Sequence, residues 1–217
     1  MKHEISYADM LALRARLSAA AFSDSHARDG KYEIRSLYFD NLYDKALMEK
    51  IDGVNCREKF RIRLYNMDSS LIKLEKKSKI NGLCSKESVV LTAEEAQRIA
   101  DGDILWMAED SRSLVCELYS RMSGQGLRAK TIVDYTREPF VFPAGNVRVT
   151  LDYNIRTGMN TTQLLDPDAV TVPVQGSPII LEVKWDEFLP AVILDLVQTE
   201  GTRSAAFSKY AACRMYG

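Results

Sequence analysis

Four cations stand at alternate positions in the segment 57–65: Arg57, Lys59, Arg61 and Arg63, with Phe60, Ile62 and Leu64 on the other parity. A strand sends successive side chains to opposite faces, so one face is a row of cations ~6.6 Å apart and the other is apolar. Like charges that close repel. Water, carboxylates on neighbouring strands or an anionic ligand must offset them. The pattern recurs along the chain. Segment 70–79 sets Lys73, Glu75 and Lys77 against Ile72 and Leu74, and 84–90 carries Lys86. Segment 147–152 carries Arg148 and Asp152, and 179–185 sets Glu182 and Lys184 against Leu181, Val183 and Trp185. For any one strand a solvated charged face is the simpler reading. Five such strands, dominated by long cations, favour a shared charged surface. If the sheet closes, those faces line a polar tunnel. Empty, it would be costly, because buried unpaired charges are disfavoured; a polyanion with a divalent cation would fill it.

The elements that position these residues follow from pattern. Residues 7–20 place Met10, Leu11, Leu13 and Leu17 at helical spacing. Residues 23–30 read as a loop and Tyr32 to Phe39 as a strand. Asp40-Asn41 should cap a short helix over roughly 42–51. Asn81-Gly82 is a strong hairpin signal between the 70–79 strand and one running from Cys84 to Leu91. Thr92-Ala93-Glu94-Glu95 is a capping box that opens a helix to about residue 100, and a longer helix is expected over 109–123, closed at Gly124. Lys130 to Val141, Val147 to Asp152 and Ile179 to Trp185 read as strands. Residues 154–178 read as loop, with one short edge strand near 170–174. Short helices are expected at 191–197, after Pro190, and at 205–215. Strands at short spacing, joined mostly by hairpins and small helices, predict an α+β class: an antiparallel sheet or barrel with helices outside, in a single domain over 1–217.

Composition narrows the function. The net charge of −1 gives no basis for nucleic-acid binding by bulk charge, so any anion site must come from local concentration of Lys and Arg. The two histidines, His3 and His26, exclude a His-rich zinc site. Cys56, Cys84, Cys116 and Cys213 show no C-x-x-C spacing and read as free, inert core thiols of a reducing compartment. Trp106 and Trp185 read as packing residues. No apolar run approaches a membrane span and no apolar signal region opens the chain, so a soluble, cytoplasmic protein without direct membrane insertion is expected.

Seven segments carry a resemblance: Tyr38-Phe39-Asp40, Lys59-Phe60-Arg61-Ile62-Arg63, Leu74-Glu75-Lys76-Lys77, Tyr135-Thr136-Arg137, Val147-Arg148-Val149-Thr150-Leu151-Asp152, Leu181-Glu182-Val183-Lys184 and Ser208-Lys209-Tyr210. In order and spacing, over about residues 1–213, they resemble the VTC domain. This is the polyphosphate polymerase domain first described in vacuolar transporter chaperone complexes, a branch of the triphosphate tunnel metalloenzymes. That superfamily also holds inorganic, thiamine and RNA triphosphatases and class IV adenylyl cyclases.

The resemblance implies an antiparallel eight-stranded β-barrel that binds ATP or another triphosphate, and polyphosphate. It implies that Arg61, Arg63, Lys77, Lys86, Arg137 and Arg148 contact phosphate, with Lys59 on the same face and a hydroxyl from Tyr135. Glu182 would hold Mn2+ or Mg2+. Lys2, Ser208 and Lys209 would stand near the transferred phosphoryl group. Relatives usually carry an Arg-His-Glu-x segment before the lysine that Lys2 matches, so the resemblance implies a first strand that is either shortened or mis-started here. The E-x-E-x-K signature of the triphosphatase branches is absent; Lys2-His3-Glu4 does not supply it. Eukaryotic relatives work with membrane subunits, which implies a possible membrane-protein partner. The expected reaction is transfer of the ATP γ-phosphate to a growing polyphosphate chain. Two rivals stand beside it: a metal-dependent triphosphatase that draws on Glu75, Asp152 and Glu182, and a non-catalytic module that binds polyphosphate or an inositol polyphosphate.

Overall fold

The computed structural model describes residues 1–24, 27–199, 203–204 and 206–215. In chain order the elements are β1 (Lys2–Ile5), α1 (Tyr7–Ala20), β2 (Phe22–Ser23), β3 (Tyr32–Asp40), α2 (Lys45–Ile51), β4 (Cys56–Tyr65), β5 (Asp68–Ile80), β6 (Leu83–Leu91) and α3 (Ala93–Asp101). A 3-10 turn (Leu105–Glu109) leads to α4 (Ser113–Gln125), β7 (Arg128–Phe142), β8 (Val147–Thr157), β9 (Val172–Pro173), β10 (Ile179–Lys184), α5 (Ala191–Leu196), β11 (Arg203–Ser204) and α6 (Lys209–Arg214). Nine strands hydrogen-bond in the order β11-β1-β10-β8-β7-β3-β4-β5-β6, with β2 on β7 and β9 on β8. The fold is an antiparallel α+β sheet with helices outside. Among the described residues its hydrogen-bonded order is open at β11 and β6, where an eight-stranded barrel is expected from sequence.

The chain divides into two compact units. The first comprises Met1–Glu33, Tyr135–Ile155 and Pro173–Ser208; the second comprises Ile34–Asp134, Arg156–Val172 and Lys209–Gly217.

The second unit is built on the β4-β5-β6 meander. Asn81 and Gly82 both take positive φ, 48° and 87°, which a two-residue hairpin turn matched to strand twist requires. The even-numbered apolar side chains Phe60, Ile62, Leu64, Ile72 and Leu74 are buried with Ile99 of α3 and Val115, Leu118 and Met122 of α4. Each such burial contributes roughly 1.5–3 kcal/mol. Packing the even face under helices leaves the odd, charged face on the other side of the sheet. The expected capping box opens α3: the Thr92 hydroxyl accepts from the Glu95 amide at 3.1 Å, and the Glu95 carboxylate accepts from the Thr92 amide at 2.8 Å.

The first unit has the same logic with α1 as its cover. Ser6 and Asp9 cap the helix reciprocally. Met10, Leu13 and Leu17 are buried with Val149, Leu151, Leu181 and Val183. Arg14 of α1 forks onto Glu138 of β7, with both bonds at 2.7 Å, and the Tyr153 hydroxyl donates to the same carboxylate at 2.6 Å.

Several expectations need correction. The helix expected from 109 begins at Ser113, because the Asp110 carboxylate accepts from the Arg112 amide at 2.7 Å and interrupts the helical backbone there. That helix runs past Gly124 to Gly126, whose φ of 68° provides the left-handed stop. The 147–152 strand continues to Thr157 through residues expected as loop. The helix α2 starts at Lys45, three residues late, because Asp40 and Asn41 cap it from a distance: Asp40 accepts from the amides of Ala46 and Leu47, and Asn41 from those of Tyr43 and Lys45. The terminal helix begins only at Lys209. Ser25 and His26 of the expected 23–30 loop, and Ala205 of the expected terminal helix, lie outside the described residues. Of the thiols expected in the core, only Cys213 is buried; Cys56 and Cys84 are exposed on the meander and Cys116 is half-buried.

Candidate functional site: two charged sheet faces

In the second unit the strand register sets like charges against one another. Arg57 pairs with Lys79, Lys59 with Lys77 and Lys77 with Lys86. Directly opposed like charges destabilise a sheet unless something neutralises them. The next rung contains the one acid of this row: Arg61 stands opposite Glu75. The Glu75 carboxylate is buried and clamped from both sides. Arg61 reaches it at 2.6 and 2.7 Å, and Lys86 forms an ion pair with its other oxygen. Burial works against this charge, but Arg61, Arg63 and Lys86 outweigh it and hold the Glu75 carboxyl down at about 2. Arg63 is buried behind this pair and donates to the Ser36 hydroxyl at 3.0 Å.

Tyr38 and Tyr210 close the row. The Tyr38 hydroxyl accepts from Arg61 at 3.0 Å, and Lys59 lies 5.8 Å from the centre of its ring. Burial opposes ionisation of this phenol, yet Arg61, Lys59 and Arg63 together bring it down to about 7. Burial also lowers Lys59, to about 8; Arg61, Lys77 and Lys209 add to the effect and Tyr38 opposes it. Tyr210 stacks on Tyr38 with ring centres 4.9 Å apart, and donates to the buried Asp40 carboxylate at 2.8 Å. That bond ties α6, and Lys209 at its start, to the strand that carries Tyr38. The result is a dense row of cations around the buried carboxylate of Glu75.

In the first unit acids are interspersed among the cations, although Arg148 and Lys184 form one like-charge rung. Register sets Lys2 and Thr150 on either side of Glu182, and Arg148 beside Lys184. Arg137 makes a two-pronged ion pair with the fully buried Asp152, at 2.6 and 2.8 Å, and comes within 4.0 Å of Glu182. Burial works to raise the Glu182 carboxyl, but Lys184, Lys2 and Arg137 lower it on balance. Lys184 lies 3.5 Å from Glu182. Lys2 donates to the Phe207 carbonyl at 2.7 Å, immediately before Ser208. Arg137 also lies over the buried Tyr135 ring. Arg148 pairs with Asp24 at 3.2 Å and is largely exposed.

Of the residues named from sequence, the second unit brings together Lys59, Arg61, Arg63, Lys77, Lys86 and Lys209. The first unit brings together Lys2, Tyr135, Arg137 and Glu182, and sets Arg148 further along the row. Tyr38 and Tyr210 lie inside quoted segments without a role, and Asp40 reads there only as a helix cap; their meeting is tertiary and no spacing discloses it. Thr150 shares the parity of Arg148 and Asp152, and that parity was a usable signal.

Among the described residues, no group of three or more His, Cys, Asp or Glu side chains could hold a metal ion unaided. Glu182 fits the simpler arrangement in which one or two carboxylates and substrate phosphates share a hard cation. Beside it in the register, the buried Thr150 hydroxyl has no hydrogen-bond partner among the described residues, so an oxygen donor is left over at that point. The donor set is all oxygen, which suits Mg2+ or Mn2+.

The fold is an antiparallel α+β sheet that carries two charged faces. The chain belongs to the VTC domain family, whose model matches residues 1–216. Among solved structures it is similar to a candidate adenylyl cyclase from Hippeastrum described with a dominant triphosphatase activity, at 14% identity, a TM-score of 0.60, and 99% and 93% of the two chains covered. It is also similar to a candidate adenylate cyclase from Bacillus halodurans, at 12% identity, a TM-score of 0.53, and coverage of 84% of this chain and 77% of that one. Identities this low establish a shared fold. Comparison with curated proteins gives no match.

Proposed function

We propose that the whole chain acts as one VTC domain and is a polyphosphate polymerase-type phosphotransferase that works in the cytoplasm on ATP. The observation that carries this reading is the register of the second unit, where Lys59, Lys77 and Lys86 stand side by side across three strands. Such a ladder is destabilising on its own and is neutralised by a polyanion. The terminal phosphate of the chain attacks the γ-phosphorus of ATP. A new P–O–P bond forms, the bond to the β-phosphate oxygen breaks, and its electron pair leaves with ADP. The attacking oxygen is already anionic, so no strong general base is needed, and the site residues include no histidine.

Arg61 and Arg63 supply fork-like contacts to phosphate oxygens, and Lys59, Lys77 and Lys86 act as point charges. Lys2, Ser208 and Lys209 align the transferred group. Glu182 would hold Mg2+ or Mn2+, which neutralises charge on the transferred and leaving phosphates. A hydrolase would need an activated water and usually more carboxylates. Glu75 and Asp152 are held in close ion pairs with Arg61 and Arg137, whereas Glu182 has only longer contacts, 3.5 Å to Lys184 and 4.0 Å to Arg137; a single loosely held carboxylate supports transfer over hydrolysis.

Incubation of the full chain with ATP and Mn2+, followed by separation of products by length, tests the reading. The expected product is a ladder of long-chain polyphosphate together with ADP. Orthophosphate without chain growth would overturn it in favour of a triphosphatase, and polyanion binding without either product in favour of a binding module.

A further inference from the structure

The cation row does not stop at Lys59. One rung further toward the Asn81-Gly82 turn, Arg57 of β4 stands directly opposite Lys79 of β5. A third cation arrives from outside the sheet. The Val54 amide donates to the Glu49 carbonyl of α2 at 2.9 Å and the Arg57 guanidinium donates to the Val54 carbonyl, which brings the last turn of α2, with Lys50 in it, to Arg57. Burial and then Arg57 and Lys79 lower the Lys50 ammonium. All three are half-buried. Among the described residues none of them pairs with a carboxylate; the Arg57 guanidinium is turned back onto the Val54 carbonyl at 2.5 Å. The arrangement is unlike the carboxylate-paired clusters on the helix-covered side of this unit. Lys76, for comparison, pairs with Glu58, Glu87 and Glu117, and Arg112 with Glu95 and Asp110. Three adjacent, partly desolvated cations without a counter-ion raise the energy of the empty corner and lower it when an anion enters.

Geometry says which anion. Arg57 and Arg63 are six strand residues apart, about 20 Å at the usual rise. A triphosphate, three linked tetrahedra, covers only part of that length. We propose that Lys50, Arg57 and Lys79 form an outer anion subsite that takes the phosphates of a linear polyphosphate beyond the first three. The proposal rests on the reading of the inner row as a polyphosphate site and adds chain-length selection to it. A short triphosphate is held by the inner rungs alone; a long chain gains the outer corner as well. Each phosphate neutralised there also releases counter-ions, so the gain is dependent on salt.

The test compares tripolyphosphate with long-chain polyphosphate by calorimetric titration of the full chain, without nucleotide or metal. The double variant Lys50→Gln with Lys79→Gln is measured beside the wild type, and circular dichroism and melting temperature check that both fold alike. The expected result is that the variant keeps the wild-type affinity for tripolyphosphate, loses about tenfold or more in affinity for the long chain, and shows a shallower salt dependence for the long chain only. Unchanged long-chain binding in the variant would overturn the subsite. An equal loss for both polyanions would overturn it as well, and would make the corner part of the inner row. Binding of the wild type to anionic phospholipid vesicles, lost in the variant while long-chain affinity stays, would replace polyphosphate with a lipid surface. A wild type that binds neither polyanion would refute the polyphosphate reading itself, an outcome distinct from the loss of length selection alone.

Discussion

The two units present the same kind of strand and balance its charge in opposite ways. In the first, Arg137 sits on Asp152, and Glu182 has Lys2 and Lys184 beside it, so each cation has an acid within reach. In the second, Arg57, Lys59, Lys77, Lys79 and Lys86 face one another across β4, β5 and β6, and Glu75 is the one acid of the row. A balanced network is stable without a ligand and can spare one carboxylate for a cation. An unbalanced ladder of like charges carries repulsion that an incoming anion relieves. Under the proposed function, Glu182 of the first unit would hold the metal and the cation row of the second would make the larger share of phosphate contacts.

Variants can break that division. The largest effect is expected from Glu182→Gln, which preserves shape and removes the charge. Metal-dependent turnover should fall about a hundredfold or more, while polyphosphate affinity measured without metal and the melting temperature stay near wild type. Turnover that is unchanged removes Glu182 from the site. Arg61→Ala should do the reverse. It deletes one side of the Glu75 clamp and a charged donor, so polyphosphate binding without metal should weaken about tenfold to about a hundredfold by titration. Equal losses from both variants would erase the distinction between the units.

The smallest effect concerns pH. A bound polyanion favours neutral Tyr38 and protonated Lys59, whose pKa values in the free protein are about 7 and about 8. Raising the pH through that window therefore adds negative charge at Tyr38 and removes positive charge at Lys59. Affinity should decline several-fold between about pH 6 and about pH 9, and Tyr38→Phe should flatten the lower part of the decline. A flat profile in the wild type would place the anion away from this pair.

Sequence periodicity carried much of this. Parity alone separated Phe60, Ile62 and Leu64 from Arg61 and Arg63, because a strand with one buried face fixes the register of every side chain. Asn81-Gly82 and Thr92-Glu95 are local signals and were legible for that reason. What parity could not disclose was the partner across the sheet. Glu75 read as a spare carboxylate for a metal, yet Arg61 and Lys86 both close on it from strands on either side. Lys50 carried no signal, since only the packing of α2 brings it to Arg57 and Lys79. The start of α4 was misread because Asp110 and Arg112 satisfy each other and halt the helix where composition continues it. The thiols were misread because Cys56 and Cys84 occupy the end of a meander that extends past its helical cover.

The most direct measurement is a calorimetric titration of tripolyphosphate into the metal-free full chain across a range of salt concentrations. The unbalanced ladder predicts saturable binding whose affinity falls steeply as salt rises. Absence of binding at low salt, or an affinity indifferent to salt, would contradict it.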